Sequence, residues 1–589
     1  MDKQELLGRA NEYIDLEQDP RFRDEVRKLV DAGDLEALND RFYTSLAFGT
    51  GGLRGMIGGG FNRMNPYVVR RATQGLASYV RAAAGAGGGV GTGAPKAVIA
   101  YDSRRYSPVF AEEAALVLCA NGIKTYLFSS LRPTPELSFA VRRLGATTGI
   151  VVTASHNPPA YNGYKVYWSD GAQIIPPHDE AIIAEVHSVG REIRSMGREE
   201  ATEKGLLVLI DREIDDPFIA MVKSYVLRPQ LVREMGSRLK VVYTPLHGAG
   251  RMPIERSLSE LGIQVVTVPE QAEPDGEFPT VEYPNPEEAS ALKLAIELGR
   301  RERADLVMAS DPDSDRLGIA VPGGDDFVLV TGNQLGALLA DYIFSSRKEL
   351  GRLPAKPVFI KTIVTTNLQA KIAESYGAKV YNVLTGFKYI AEKLRLFETT
   401  GEGYVFGGEE SYGYLVETEV RDKDAVSAAV ATAEMTLYNV SQGRTLLDCL
   451  HALYQRYGYY EEKQISRGFA GESGHKEMER LMDRLRATPP LTLGGVPVVL
   501  VKDYQAGTTL EAKSGRGTKD IDLPASNVLQ FALEDESIVT ARPSGTEPKI
   551  KFYASCCARP GIALGEARRE VSARMKRLEE EIDRIIAGG

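Results

Sequence analysis

Residues 149–158 read Gly149-Ile150-Val151-Val152-Thr153-Ala154-Ser155-His156-Asn157-Pro158. The apolar, β-branched run at 149–152 predicts a buried strand, and the Asn-Pro pair predicts a sharp turn soon after it. Short apolar runs of the same kind recur at 97–100, 123–128, 239–243, 304–309 and 357–360. Stretches with apolar residues at helical spacing, such as 109–121, lie between these runs. Strands that alternate with helices predict an α/β fold.

Length and composition indicate a multidomain globular protein. The chain has 589 residues, of which 43% are hydrophobic, and a formal net charge of -9. At about 150 residues per domain, this length predicts roughly four domains. An acidic chain without long basic runs argues against nucleic acid or a membrane surface as a partner. No apolar stretch or leader-like start predicts membrane insertion or export, and four cysteines make no disulfide framework, so we expect a cytoplasmic protein.

The apolar rhythm divides the chain into four segments. We expect a helical lead-in and a first α/β domain, a second and a third α/β domain, and a C-terminal domain of shorter strands that closes with a charged helix. The predicted bounds are 1–210, 211–330, 331–460 and 461–589. A glycine cluster at 85–94 fits a relaxed dinucleotide-binding fingerprint. That fingerprint must follow a strand, whereas the cluster precedes the strand at 97–100, so we interpret it as a flexible loop and infer no cofactor from it.

Ser155 is the first candidate catalytic residue. The predicted strand delivers it to a turn that leaves its hydroxyl exposed. The flanking residues lack the glycines of a Gly-x-Ser-x-Gly elbow, and neighbouring side chains on an extended chain point apart, so Ser155 and His156 are not expected to interact. Both points disfavour a hydrolase triad. The ordinary alternative is a polar turn with a capping serine.

An acidic loop follows the strand predicted at 304–309. It reads Asp311-Pro312-Asp313-Ser314-Asp315-Arg316. Carboxylates at alternate positions can converge on one hard cation, and without it they would repel one another. A calcium loop of the EF-hand type requires Gly at the sixth position and Glu at the twelfth, where this chain has Arg316 and Pro322. Three carboxylates without His or Cys suggest Mg²⁺, and a solvated acidic turn is the alternative.

Two further loops carry ligand-binding chemistry. Residues 407–413 read Gly407-Gly408-Glu409-Glu410-Ser411-Tyr412-Gly413, and their carboxylates and hydroxyl suit sugar hydroxyls. Residues 542–549 read Arg542-Pro543-Ser544-Gly545-Thr546-Glu547-Pro548-Lys549. A guanidinium, two hydroxyls and glycine-exposed backbone N–H groups suit a phosphate. Each loop alone could also be an ordinary surface turn.

Taken together, the four loops resemble those of the α-D-phosphohexomutase superfamily, and they occur in its order. Further stretches that match it are Phe48-Gly49-Thr50-Gly51-Gly52-Leu53-Arg54-Gly55, Tyr101-Asp102-Ser103-Arg104, Tyr161-Asn162-Gly163-Tyr164-Lys165, Thr244-Pro245-Leu246-His247-Gly248, Thr385-Gly386-Phe387-Lys388 and Arg421-Asp422-Lys423-Asp424. The resemblance covers about residues 40 to 557 and lies nearest the longer branch, which holds bacterial phosphoglucomutases and phosphopentomutase-type enzymes. It implies four domains around a central cleft, three similar α/β domains and a smaller α+β C-terminal one. Ser314 stands where the family more often has Gly or Ala.

The resemblance also implies a mechanism. Ser155 would carry a phosphoryl group that passes to a hexose monophosphate and returns from a bisphosphate intermediate. Mg²⁺ would be held by Asp311, Asp313, Asp315 and a phosphoserine oxygen. The other implied roles fall to residues that match family positions: Arg54, Lys165 and Arg316 near the phosphoserine; Lys388 as general acid/base, with His156 as a second candidate; Glu409 and Ser411 at the sugar; and Arg542, Ser544, Gly545 and Thr546 at the phosphate that is not transferred. His247 is expected to be structural.

The implied activity is that of a phosphoglucomutase, an isomerase that interconverts α-D-glucose 1-phosphate and glucose 6-phosphate, with glucose 1,6-bisphosphate as intermediate and activator. The sequence leaves phosphomannomutase or phosphopentomutase activity open, because the sugars differ by single hydroxyls or ring size. A non-catalytic sugar-phosphate-binding protein and a Mg²⁺-dependent phosphatase are rivals of other classes. The expected partner is a small hexose phosphate, and the protein is expected to be a monomer or a homodimer.

Overall fold

The computed structural model describes residues 1–49, 51–85, 94–469, 474–544 and 549–588. The chain forms two compact units, the first made of Met1–Gly332 with Phe387–Ser441 and the second of Asn333–Gly386 with Gln442–Gly589. The predicted loop at 85–94 lies almost wholly outside the described residues. None of the helices in the described ranges is both long and apolar enough to cross a membrane.

The first unit starts with three short helices. These are α1 (Lys3–Leu16), α2 (Pro20–Ala32) and α3 (Leu35–Phe42). Each begins at an aspartate whose carboxylate accepts a backbone N–H of the first turn, and these caps are Asp2, Asp19 and Asp34. Tyr13 of α1 packs edge-on against Phe42, Phe61 and Tyr67. The predicted helical lead-in therefore shares its core with the α/β domain that follows it.

That domain is built on a mixed six-stranded sheet. Its elements are β1 (Gly52–Met56), α4 (Pro66–Gly85), β2 (Lys96–Tyr101), α5 (Ser107–Ala120), β3 (Lys124–Phe128), α6 (Thr134–Arg143), β4 (Thr148–Val152), β5 (Tyr161–Trp168), α7 (His178–Ser188), α8 (Arg198–Glu203) and β6 (Leu207–Ile210). The strand order is β1-β5-β4-β2-β3-β6. β2, β3, β4 and β6 run parallel, whereas β5 runs antiparallel to both β4 and β1. All five residues of β4 are buried, as the apolar run predicts.

A second, five-stranded sheet follows in the same unit. Its elements are α9 (Arg212–Ser224), α10 (Pro229–Met235), a 3₁₀ turn (Gly236–Arg238), β7 (Lys240–Thr244), α11 (Arg251–Glu260), β8 (Gln264–Thr267), α12 (Pro269–Ala272), α13 (Lys293–Glu302), β9 (Leu306–Ser310), β10 (Leu317–Gly323) and β11 (Asp326–Val330). The strand order is β11-β10-β9-β7-β8. The segment 387–441 adds α16 (Phe387–Thr400), the antiparallel pair β14 (Gly403–Glu409) and β15 (Gly413–Leu415), and α17 (Ala425–Ser441). β4 and β9 thus end in the same unit, and the loops that follow them carry Ser155 and the aspartates.

The second unit combines an α/β segment with a larger antiparallel sheet. Its elements are α14 (Gly332–Glu349), β12 (Pro357–Thr362), α15 (Asn367–Ser375), β13 (Lys379–Val383), α18 (Leu446–Tyr457), β16 (Tyr460–Gly468), α19 (Gly474–Ala487), β17 (Thr492–Leu493), β18 (Val496–Asp503), β19 (Thr508–Glu511), β20 (Gly517–Thr518), β21 (Leu529–Leu533), β22 (Ile538–Pro543), β23 (Lys549–Cys557) and α20 (Leu564–Ala587). β12 and β13 pair in parallel. The C-terminal sheet has the order β16-β23-β22-β21-β18-β19-β20, with β17 paired to β18. The predicted α/β fold with a different, strand-rich C-terminal part is confirmed.

Candidate active site

Ser155 lies in a tight loop three residues beyond the end of β4. Its φ is +51°, in the left-handed region that non-glycine residues seldom occupy. Its side chain is buried, so the expectation of an exposed hydroxyl is wrong. Backbone strain of this kind costs about 1–3 kcal/mol and persists only where surrounding contacts hold it. Here the Ser155 N–H donates to Thr153 Oγ1 at 2.8 Å, and Thr153 Oγ1 donates to Asp102 at 2.6 Å.

The buried guanidinium of Arg104 holds the backbone of this loop through hydrogen bonds. Arg104 Nη2 donates to the carbonyl oxygens of Ser155 and Asn157, and Nη1 donates to those of Pro158 at 2.9 Å and Tyr161 at 3.1 Å. The side chain of Arg104 is fully buried, and its Nε lies 3.3 Å from an oxygen of Asp102. Arg104 and Asp102 therefore form a buried ion pair next to the loop, and Asp102 supplies the counter-ion that a buried guanidinium needs.

The Ser155 hydroxyl joins two of the candidate catalytic groups. Its Oγ donates to Asp311 Oδ2 at 2.6 Å and lies 3.1 Å from His156 Nδ1. The expectation that Ser155 and His156 point apart is therefore wrong. It assumed an extended chain, whereas the left-handed φ of Ser155 turns the two side chains toward each other. Burial, together with the charges of Arg316 and Arg54, keeps the pKa of His156 well below its ordinary value.

The acidic loop after β9 forms one compact cluster. Asp311, Asp313 and Asp315 are all buried, and each offers an oxygen within 4.8 Å of the others. Asp311 Oδ1 accepts the N–H groups of Asp315 and Arg316, at 3.1 and 3.0 Å, which closes the loop on itself. Ser314 has a φ of +53°, in the left-handed region that glycine adopts most readily.

The three buried carboxylates of the cluster repel one another, and a bound cation would relieve that repulsion. Burial and the charges of Asp313 and Asp315 raise the pKa of Asp311 well above its ordinary value. Asp313 is different: burial opposes its ionisation, but Lys165, with Nζ 2.8 Å away, lowers its pKa below the usual range. One oxygen each of Asp313 and Asp315 is buried without a hydrogen-bond partner among the described residues. A buried, oxygen-only donor set with two uncommitted oxygens fits Mg²⁺.

Cationic side chains surround the acidic cluster. Lys165 Nζ lies 3.6 Å from Asp315 in addition to its contact with Asp313, and Lys423 Nζ lies 3.2 Å from Asp315. Arg316 pairs with Glu287. Arg54, on the edge strand β1, reaches Asn157 of the serine loop, with Nη1 3.5 Å from Oδ1. The structure thus brings Lys165, Arg316 and Arg54 close to Ser155 and the acidic cluster, and their role in phosphoryl transfer stays a prediction.

The candidate sugar-binding and acid/base residues lie on the segment 387–441. Glu409 ends β14 with an oxygen 3.9 Å from Lys423 Nζ, and Ser411 lies in the turn that leads to β15. Lys388 is on the first turn of α16 with its Nζ 5.3 Å from the ring centre of Tyr389. Burial lowers the pKa of Lys388.

The candidate phosphate loop belongs to the second unit. Arg542 is the last residue but one of β22, opposite Lys551 of β23, and the Ser544 N–H donates to the carbonyl oxygen of Lys549 at 2.7 Å. Gly545 and Thr546 lie outside the described residues. His247 has its two ring nitrogens at 3.1 Å from a carbonyl oxygen and 2.9 Å from a hydroxyl, as suits a structural histidine.

Three residues of the site were not singled out from the sequence. Arg104 and Lys423 stood only within matching stretches, without a role. Thr134, at the start of α6, donates through Oγ1 to Asp313 at 2.9 Å, and its N–H donates to the Asp313 carbonyl. A threonine that opens a helix normally indicates a cap, so no sequence signal pointed to this contact.

Comparison with known proteins identifies the family. Sequence models of the phosphoglucomutase/phosphomannomutase family match in order: its α/β/α domain I at residues 45–192, domain II at 216–324 and domain III at 331–457. The chain belongs to this family, within the α-D-phosphohexomutase superfamily. Members of the family are mutases, and the protein is an enzyme of this isomerase class.

Relatives match over nearly their whole length. The chain is 37% identical to a phosphoglucomutase of Staphylococcus haemolyticus, covering 91% of this chain and 95% of that protein. It is 35% identical to a protein of Schizosaccharomyces pombe named probable phosphoribomutase, covering 94% of each. Among solved structures, the open form of pp63/parafusin, a phosphoglucomutase from Paramecium, covers 92% of this chain and 95% of its own, with a TM-score of 0.70 at 18% identity. At that identity the likeness shows the fold alone.

Proposed function

We propose that the protein is a phosphoglucomutase that interconverts α-D-glucose 1-phosphate and glucose 6-phosphate through a phosphorylated Ser155. The observation that carries the proposal is the contact between Ser155 Oγ and Asp311, 2.6 Å apart, inside a buried acidic cluster flanked by Lys165 and Lys423. Phosphoryl transfer depends mainly on positioning and on stabilising charge. A hydroxyl held in place beside a cation site meets both needs, and relatives named phosphoglucomutase match nearly the whole chain.

Asp311, Asp313, Asp315 and an oxygen of the phosphorylated serine would hold Mg²⁺, which supplies Lewis-acid stabilisation of charge on a phosphoryl group. Arg104 fixes the loop, so that Ser155 keeps the same position when it gives up its phosphoryl group and when it regains it. Lys165 and Lys423 bring positive charge to the cluster. Burial opposes the charge of both lysines, but the carboxylates beside them outweigh it and raise the pKa of each, so both ammonium groups stay ionised.

We assign the proton of the substrate hydroxyl to Lys388. Burial lowers the pKa of its ammonium, which makes the neutral amine easier to form and proton exchange easier. His156 contacts the Ser155 hydroxyl itself, so its role is better placed at the serine than at the sugar. Glu409 and Ser411 are proposed to bind sugar hydroxyls, and the loop from Arg542 to Thr546 to bind the phosphate that is not transferred. Glucose 1,6-bisphosphate would be the intermediate and the activator.

Phosphopentomutase activity is a second candidate, because the Schizosaccharomyces pombe relative is named a phosphoribomutase and matches 94% of this chain. Turnover should be compared on glucose 1-phosphate, mannose 1-phosphate and ribose 1-phosphate with glucose 1,6-bisphosphate and Mg²⁺ present. We expect the highest kcat/KM with glucose 1-phosphate. A higher value with ribose 1-phosphate would replace the glucose assignment. Release of inorganic phosphate without isomer formation would show a phosphatase instead.

A further inference from the structure

A polar pocket lies between the helical lead-in and the first α/β domain. Its volume is about 480 Å³, a size typical of small-ligand sites. α1 contributes Arg9 and Glu12, and α4 contributes Tyr67 and Arg71, which are four residues apart and so share a face of their helix. Ser45, between α3 and β1, adds a hydroxyl. The pocket shares no residue with the candidate active site.

Positive charge exceeds negative charge in this pocket. Three guanidiniums, those of Arg9, Arg71 and Arg191, face a single carboxylate, Glu12. Arg191 pairs with Glu12 at 3.4 Å, and both side chains are well exposed, so this ion pair leaves Arg191 weakly held. Arg9 donates to Ser45 Oγ at 3.0 Å and has no carboxylate partner among the described residues. The net charge of the lining is therefore +2, equal and opposite to that of an ionised phosphate monoester.

Arg71 distinguishes this pocket from an ordinary charged surface. Its Nε is buried and, within the described residues, has no hydrogen-bond partner. Its neighbour Arg70 shows the usual treatment of a buried guanidinium, since it pairs with Glu17 at 3.0 Å and with Glu113 at 3.3 Å. A donor shielded from water and left unpaired costs about 1–3 kcal/mol unless a ligand satisfies it.

The pocket also offers neutral recognition groups. The ring of Tyr67 is buried, and its hydroxyl makes no hydrogen bond within the described part of the chain. Phe61 forms an apolar wall over which the guanidinium of Arg9 stacks, 5.6 Å from the ring centre. Hydroxyls and an aromatic face beside guanidiniums suit a polar organic body that carries a phosphate.

We propose that this pocket binds a phosphate monoester of about monosaccharide size, with Arg71, Arg9 and Arg191 on the phosphate and with Ser45 and Tyr67 on the organic body. The binding site is separate from the catalytic one. It needs the helical lead-in, because α1 supplies Arg9, and residues before 45 lie outside the matched family domain.

The test maps arginine reactivity on the full-length enzyme. Phenylglyoxal modifies arginines, and mass spectrometry of peptides gives the rate at each one, with and without glucose 6-phosphate. Arg71 should be protected, whereas Arg81, an exposed arginine further along α4, should not. Inorganic phosphate is the second probe. Equal protection of Arg71 by inorganic phosphate at the same concentration would overturn the assignment to an ester, and no protection by either probe would overturn the site.

Equilibrium dialysis with labelled glucose 6-phosphate gives an independent readout. Wild type and Arg81→Ala should bind two equivalents per chain. In Arg71→Ala the Kd of one equivalent should rise by about 10- to 100-fold, the effect of losing a charge-assisted bond. The same stoichiometry and an unchanged Kd in all three proteins would contradict the proposal. The difference in Kd between Arg71→Ala and Arg81→Ala does not depend on isomerase activity. The result can therefore be interpreted even if the proposed function is wrong.

Discussion

Replacing Arg104 by Lys tests whether the serine loop must be held for catalysis. Arg104 donates to four carbonyl oxygens of the loop, two from each terminal nitrogen. An ammonium is a point donor and cannot span the same four acceptors, so we expect at least two bonds to be lost. At about 1.5 kcal/mol each for bonds to a charged donor, the loss is about 3 kcal/mol. The charge that neutralises Asp102 is retained.

If the loop adopts its geometry only through these bonds, the loss falls on the transition state. A change of about 3 kcal/mol lowers kcat/KM by roughly a hundredfold. The assay couples glucose 6-phosphate formation from glucose 1-phosphate to its oxidation by a dehydrogenase, and circular dichroism checks the fold. Arg105→Lys is the matched control, because this adjacent arginine is exposed and makes one long bond to the loop, 3.3 Å to the Pro159 carbonyl.

The control should retain activity within about threefold of wild type. The reasoning would be refuted if Arg104→Lys also stayed within threefold, or if the two variants lost activity equally. The first result would show that the loop holds its geometry without the guanidinium, and the second that the effect is not specific to the four buried bonds.

Three further predictions concern the metal, the phosphate loop and pH. Asp313→Asn removes one charge with little change in shape, so activity should fall at least a hundredfold while the fold stays intact. Asp325→Asn, at an exposed position, is the control and should leave activity unchanged. Full activity in the presence of a chelator would exclude the metal. Arg542→Ala should lower kcat/KM by about one to two orders of magnitude for both glucose 1-phosphate and glucose 6-phosphate, because the same loop must bind the phosphate that is not transferred in either substrate. Arg559→Ala is the control. Burial raises the pKa of Asp424 from 3.8 to about 6. Between these two pH values the folded state therefore keeps a proton that the unfolded state has lost. The contribution of Asp424 to the free energy of unfolding should fall by up to about 3 kcal/mol as the pH rises from about 4 to about 6. Asp424→Asn keeps the helix cap on the Val426 N–H and should abolish that fall in urea titrations; an unchanged pH slope would contradict the assignment.

The sequence predicted the strands well because they are short apolar runs. β4 and β9 both end within a residue or two of where those runs end, and the loops that follow carry Ser155 and the acidic cluster. The contact between Ser155 and Asp311 joins residues 156 positions apart, and no spacing rule gives it. Only the resemblance to a family connected the two loops.

Other features could not be predicted because they depend on backbone conformation or on long-range packing. The contact between the Ser155 and His156 side chains follows from the left-handed φ of Ser155. A serine at that position does not indicate a positive φ. Arg104 acts on carbonyl oxygens more than 50 positions away, and backbone acceptors leave no sequence pattern. Lys423 reaches Asp315 from the segment after β15, so its role depends on how that segment packs within the first unit.

The central claim is that Ser155 carries the phosphoryl group, and labelling tests it most directly. The enzyme should be incubated with glucose 1,6-bisphosphate that carries ³²P, freed of small molecules and digested, and the labelled peptide sequenced by mass spectrometry. The account predicts label on Ser155, loss of that label on addition of unlabelled glucose 6-phosphate, and neither label nor isomerase activity in Ser155→Ala. Label on another residue, or full activity in Ser155→Ala, would contradict it.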